Sequence, residues 1–235
     1  MYSTIQTKDN KATPTTEQWT AYQQLYDYFN AKLFGGTLPS IILNFYRKAN
    51  VCGFFSRDRW SRNDGSKTHE ISINPVHLAI DPFIQVCQTL VHEQAHLWQA
   101  EHGKSSRPGY HNSEWAAKME SIGLMPSSTG HPGGDRVGQK MSDFVIEGGL
   151  FEQAFNALPE GIKLPWKANE ATLPQAAIAL LGQLAGTTTL NGTGTAPDKK
   201  TKVKYICPGC KAKAWGKPEL RLICGDCHKN MEAAV

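Results

Sequence analysis

No run in this chain approaches the ~20 uninterrupted apolar residues a membrane-spanning helix needs, so no transmembrane segment is expected. The first twenty residues are polar and lack an apolar stretch, which argues against a secretory signal and makes a cytoplasmic location the default expectation. No internal repeat is visible. Cysteine is scarce, six in 235 residues, and without an export signal a disulfide framework is disfavoured. What is present is ordinary for a soluble globular protein: 40% apolar and 20% charged residues, at a length that holds one sizeable domain and a small one.

The net charge of +4 is unevenly placed. Residues 198–235 carry nine Lys/Arg against four Asp/Glu, and residues 1–197 carry 16 against 17, so the basic character sits in the tail. A zinc ion on four thiolates would lower that tail by about two charges and leave it mildly basic.

Residues 1–14 are polar without periodicity and read as disordered. Thr15 or Thr16 is placed to cap a helix reaching about residue 34, with Gln18 in capping-box relation to Thr15 and Gly35-Gly36 ending it. Strand-like stretches follow at 41–47, 51–57 and 69–74, with the polar residues 58–67 as a hairpin loop. Asp81-Pro82 reads as a helix start, the helix running to about residue 101. Gly103 to Gly109 breaks it, and Asn112 or Ser113 caps another helix through Ile122. This order predicts an α+β domain over 15–159, with helices on a small antiparallel sheet. Residues 160–200, rich in Ala, Thr, Gly and Pro, read as a linker; its apolar piece 176–184 is long enough for a short docking helix. Residues 201–235 form a separate module.

Within the second predicted helix lies His92-Glu93-Gln94-Ala95-His96. Residues four apart on a helix project ~40° from one another and ~6 Å along the axis, so both imidazoles can reach one zinc ion. Glu93 lies on the next flank, near enough to take a proton from water at that ion without binding it. A hydrolytic zinc site needs a third protein ligand, for which His102, His111, His131, Glu114 and Glu120 are candidates. If the helix continues, His102 lies ~9 Å beyond His96 and ~120° round the axis, out of reach. His111 follows the Gly-rich break, and a returning helix would carry it over the His92/His96 face. Glu114 or Glu120 on that returning helix would instead complete a two-His, one-Glu set. Tyr110 and His131 are candidate donors to a developing oxyanion. Trp98 and Trp115 read as core residues covering the histidine helix.

These residues resemble a known family. His92-Glu93-x-x-His96, with Gly109-Tyr110-His111-Asn112-Ser113-Glu114-Trp115 downstream, is similar to the SprT-like metallopeptidases, which include the Spartan DNA–protein crosslink proteases. Phe34-Gly35-Gly36-Thr37-Leu38-Pro39 looks like that family's entry segment, and the likeness covers about residues 17–125. It implies a zincin-like minimal metallopeptidase domain in which His92, His96 and His111 hold a catalytic zinc and Glu93 is the base.

Near the C-terminus, Cys207-Pro208-Gly209-Cys210 and Cys224-Gly225-Asp226-Cys227 are separated by thirteen residues. Two such knuckles joined by a short hairpin give a closed tetrahedral Cys₄ site, so a structural zinc ribbon is expected there. Its Lys/Arg residues and Trp215 suit contact with a nucleic-acid backbone plus stacking. Cys52 and Cys87, in apolar surroundings, read as small buried side chains. The expected cofactors are therefore two zinc ions, one catalytic and one structural. The expected partners are a protein substrate and, through the ribbon, DNA. The competing reading is a non-catalytic nucleic-acid-binding or protein-binding adaptor with two structural zinc sites.

Overall fold

The computed structural model describes residues 12–47, 51–169, 203–217 and 219–233. The expected disordered start, through residue 11, and the expected helix at 176–184 lie outside the described residues. The chain divides into two compact units, residues 1–188 and 189–235.

In the first unit, α1 (Pro14–Phe34) starts earlier than the Thr15/Thr16 reading. Thr13 is the N-cap, its side chain accepting the Thr16 N–H at 3.3 Å, with Pro14 at the first helical position. Gly35, at φ 63°, ends the helix in the left-handed region, which costs glycine little. The Asn30 amide then clamps Leu38 in both directions at 3.1 Å, turning the chain toward the sheet. One face of α1 buries Tyr22, Leu25, Tyr26, Phe29 and Leu33. Each large apolar side chain so buried contributes about 1.5–3 kcal/mol before its entropy cost.

The central sheet is built from β1 (Ile42–Phe45), β2 (Gly53–Ser61) and β3 (Lys67–Ile73) in the order β1-β3-β2. The domain is α+β as expected, with one correction to the antiparallel sheet: β2 and β3 form an antiparallel hairpin, but β1 lies on the far side of β3 and parallel to it. β2 therefore runs opposite to the other two strands, and β1 and β3 point the same way. β2 also extends to Ser61, through residues taken as loop, because Trp60 and Ser61 still pair with Thr68 and Lys67 of β3.

A second correction concerns Asp81. The preceding α2 (Pro75–Ile80), absent from the sequence reading, is capped by Asn74 with Pro75 at its first position, and Asp81 ends it. Pro82 restricts Asp81 to extended backbone, φ −97° and ψ 151°, so α3 (Phe83–His102) begins only after the proline. α3 buries Val86, Leu90, Val91, Ala95 and Leu97 between the sheet and α1.

Asn112 caps α4 (Ser113–Ser121) through the Trp115 N–H at 3.0 Å. Beyond it the chain forms an antiparallel pair, β4 (Leu124–Ser127) and β5 (Ser142–Val145), then α5 (Leu150–Asn156). Gly123, at φ 91°, is required where these meet, since a Cβ there would lie 2.6 Å from the Phe151 nitrogen. Further along, Ile162 and Leu164 pack on the core, and the Trp166 backbone pairs with the Gln18 side chain.

The second unit is a three-stranded sheet in the order β7-β6-β8, from β6 (Val203–Ile206), β7 (Lys213–Gly216) and β8 (Glu232–Ala233). Among the described residues no helix is long and apolar enough to cross a membrane.

Candidate metal centre

α3 presents His92 and His96 on one face, with ring centroids 5.1 Å apart. The loop after α3 and the Asn112 cap return His111 to that face, where its Nε2 lies 3.0 Å from Nε2 of His96. One nitrogen from each of the three rings falls within 4.8 Å of the others. Trp115, fully buried on α4, floors the cluster: its ring stacks on His96 at 5.2 Å and meets His92 and His111 edge-on at 4.9 and 4.4 Å.

Hydrogen bonds settle where the ring protons go. His92 Nδ1 lies 2.8 Å from Asp143 Oδ2 and donates to that carboxylate, which leaves the Nε2 lone pair available. His111 Nδ1 donates to the Gly138 carbonyl at 3.2 Å, and the two residues also exchange backbone hydrogen bonds at 2.8 and 3.0 Å. His111 Nε2 therefore also carries a lone pair, aimed at Nε2 of His96. Two such nitrogens in near contact need a proton or a cation between them.

A second proton, which would make the ring cationic, is disfavoured at two of the rings. Burial, and then the neighbouring rings of His92 and His111, hold His96 well below the usual histidine range. Burial and His92 bring His111 down to about 4, against a smaller opposing effect of the Gly138 carbonyl. At His92 burial acts downward, but the Asp143 hydrogen bond and the charges of Glu93 and Asp143 outweigh it and the net shift is upward. A metal ion fits this donor set: three converging imidazoles, His96 and His111 held neutral, and His92 and His111 oriented from behind by a carboxylate and a carbonyl.

Glu93, one residue along α3, is 7% exposed, and its charge acts on both His92 and Tyr22. The start of β2 presses close to it, since a Cβ on Gly53 would stand 3.5 Å from Glu93 Cγ.

The other sequence candidates lie elsewhere. His102 turns to the Thr37 carbonyl, Glu114 accepts from Gln99 and the Lys104 backbone, and Glu120 pairs with Arg136. His131 is exposed, and Tyr110 lies under the Arg107 guanidinium. Trp98 is partly buried against the core, as Lys118 crosses its ring. Asp143 was missed by sequence reasoning; it lies 51 residues beyond His92, in a segment without a recognisable motif.

In the second unit the sulfurs of Cys207, Cys210, Cys224 and Cys227 also fall within 4.8 Å of one another. The two knuckles repeat one backbone shape: Lys211 and His228, each just after a knuckle's second cysteine, have φ 61° and 51°. Backbone N–H groups, first that of Cys210, draw the Cys207 thiol down to about 7. The neighbouring Cys210 sulfur, with burial, pushes Cys227 up to about 12. Four sulfurs this close cannot all ionise unless a cation sits among them, so this group too is compatible with zinc.

Comparison with known proteins agrees with this geometry. The family model described as the SprT-like family matches residues 22–132, from the middle of α1 through all three histidines. A Salmonella typhimurium protein, described as an uncharacterized protein in the mucB 3′ region, is 36% identical over 59 residues. Those residues cover 25% of this chain and 80% of that protein.

The chain belongs to the SprT-like family.

No solved structure matches it. Asp143 and the Cys₄ unit both fall outside the residues that the SprT-like model matches.

Proposed function

We propose that this SprT-like chain is a zinc-dependent endopeptidase, with zinc held by His92, His96 and His111 and with Glu93 as its general base. The observation that carries this reading is the convergence of three imidazoles beside a buried carboxylate on the same helix. A structural metal site has no use for that carboxylate.

When bound, zinc supplies Lewis acidity, bringing the pKa of water at the site to ~7 and polarising a substrate carbonyl. Glu93 takes the proton released as water attacks the carbonyl carbon, and passes it to the departing amine. Asp143 keeps the His92 proton on Nδ1, and the Gly138 carbonyl does the same for His111, so both rings stay oriented through the cycle. Trp115 fixes the rings from below and keeps water out from that side. β2 is an edge strand that begins against the Glu93 helix, and an extended polypeptide can add to such an edge by main-chain hydrogen bonds. In the second unit, zinc on the four cysteines would be structural. The exposed Trp215 and the basic residues around it support DNA, or protein held on DNA, as the partner.

The test is Glu93→Gln in the full chain. Both zinc ions are expected to stay bound, while cleavage of an unfolded protein, with or without DNA, falls at least ~10²-fold. A Glu93→Gln chain that cleaves at the wild-type rate overturns the mechanism. Loss of DNA binding on raising salt, without turnover in any condition, would instead favour the adaptor.

A further inference from the structure

Outside both centres, a third set of side chains converges. Cys52, His77 and Asp81 each offer one ligand atom, and these atoms lie within 4.8 Å of one another. They come from the entry to β2, from the body of α2 and from the residue that ends α2. Cys52 is thus not the fully buried apolar filler expected from its neighbours: it is half-buried and faces an imidazole and a carboxylate, while Cys87 is buried as expected. The side chains of His77 and Asp81 are only 1% and 2% exposed. Ionisable groups so far from water require a charge partner.

The scaffold around them is fixed by Asn74. Its backbone N–H donates to the Cys52 carbonyl at 2.7 Å, its side-chain amide donates to the Val51 carbonyl at 3.0 Å, and its Oδ1 accepts the Val76 N–H at 3.1 Å. One residue therefore ties the Cys52 segment to the head of α2. His77 and Asp81, four apart, share a face of that short helix. His77 Nε2 is engaged by Thr89 Oγ1 of α3 at 2.9 Å, and Nδ1 meets Asp81 Oδ2. A ring held through Nε2 by a hydroxyl, with Nδ1 facing a carboxylate and a thiol, can ligate a cation through Nδ1.

We propose that Cys52 Sγ, His77 Nδ1 and an Asp81 carboxylate oxygen form a further divalent-cation site of the zinc class, distinct from the three-histidine and four-cysteine groups. Thiolate and carboxylate supply two negative charges and the imidazole none, so a divalent ion makes the buried set neutral. Mixed sulfur, nitrogen and oxygen donors favour a borderline-soft ion over magnesium or calcium, which take oxygen ligands. Asp81 also lines a cleft of about 510 Å³, together with Phe83, Phe155 and Trp166. An ion here would staple the start of β2 to α2. Thr89 carries the effect inward, because its methyl lies 2.8 Å from where a Gly53 Cβ would be, on the strand that presses on Glu93. The competing occupant is a single proton, giving an ordinary histidine–aspartate ion pair with a free thiol nearby.

The experiment uses the full chain, saturated with zinc and then dialysed, as wild type, Cys52→Ser and Asp81→Asn. Metal content is read by elemental mass spectrometry, with circular dichroism as the check on folding. Each folded variant is expected to hold one zinc fewer than wild type. In wild type, added zinc is also expected to slow maleimide alkylation of Cys52 about tenfold or more, read on the Cys52 peptide, because a metal-bound thiolate is a poor nucleophile. Equal zinc in wild type and a folded variant overturns the site. If neither variant folds, a Cys52 alkylation rate indifferent to zinc overturns it. Both readouts report on the Cys52–His77–Asp81 group and need no turnover, so they stand whether or not the three-histidine centre hydrolyses peptides.

Discussion

At His92 the orienting group is a carboxylate from a different part of the chain. Asp143 accepts from His92 Nδ1, while Gln88 donates to Asp143 Oδ1 at 2.8 Å and fixes the carboxylate from its other side. Asp143→Ala leaves the Nδ1–H unpaired in a closed site and frees the ring to choose the wrong tautomer. Zinc affinity at the three-histidine centre is expected to fall 10–100-fold, measured by competition with a chromophoric chelator, with Asp143→Asn losing less because an amide oxygen still accepts. The four-residue spacing of His92 and His96 was legible because helix geometry alone brings those rings together. His111 needed the family likeness to be preferred over Glu114 and Glu120. In the structure the reason is local: Gln99 and Lys104 already occupy Glu114, and Arg136 occupies Glu120. Asp143 was not legible, since nothing in residues near it signals which side chain it will face.

Between elements, the contact that matters is β2 against α3. Gly53 allows it: a Cβ there would lie 2.8 Å from Thr89 Cγ2 and 3.1 Å from the Ser72 carbonyl oxygen. The carbonyl belongs to β3 and cannot give way, so a larger side chain must push α3 outward. Gly53→Val is expected to cost about 1–3 kcal/mol in urea unfolding. Peptidase activity should fall further than that loss implies, because the same shift moves Glu93. Equal activity per folded molecule would show that β2 does not position Glu93. The helices of this layer were largely readable from caps and breaks, and even the unrecognised α2 carries in Asn74-Pro75 the same signal that was read at Asp81-Pro82. The outer half of β2 was not, because an exposed polar hairpin lacks the alternation that marks a half-buried strand. Nor was β1's parallel pairing, which depends on which edge of the hairpin meets α1.

For the whole molecule, the two compact units predict separable stabilities. Among the described residues the second buries only Tyr205, Cys207 and Cys224, too small a core to hold a sheet without a metal cross-link. Cys224→Ser in the full chain is expected to abolish amide protection across 203–233. Protection of α1 and α3 should stay near wild type, read by hydrogen exchange with mass spectrometry. Protection of β6 that survives the substitution would mean the ribbon folds without its metal.

The sequence by itself determined the ligand types, the helix that carries two of the histidines and the paired knuckles, because those features depend on residues a few positions apart. The tertiary structure alone decided how the ring protons are held, how β2 meets Glu93, and that Cys52 lies with His77 and Asp81. Each of these is a contact between side chains far apart in the chain, selected by packing, and a pattern of neighbours along a strand or helix carries no record of it.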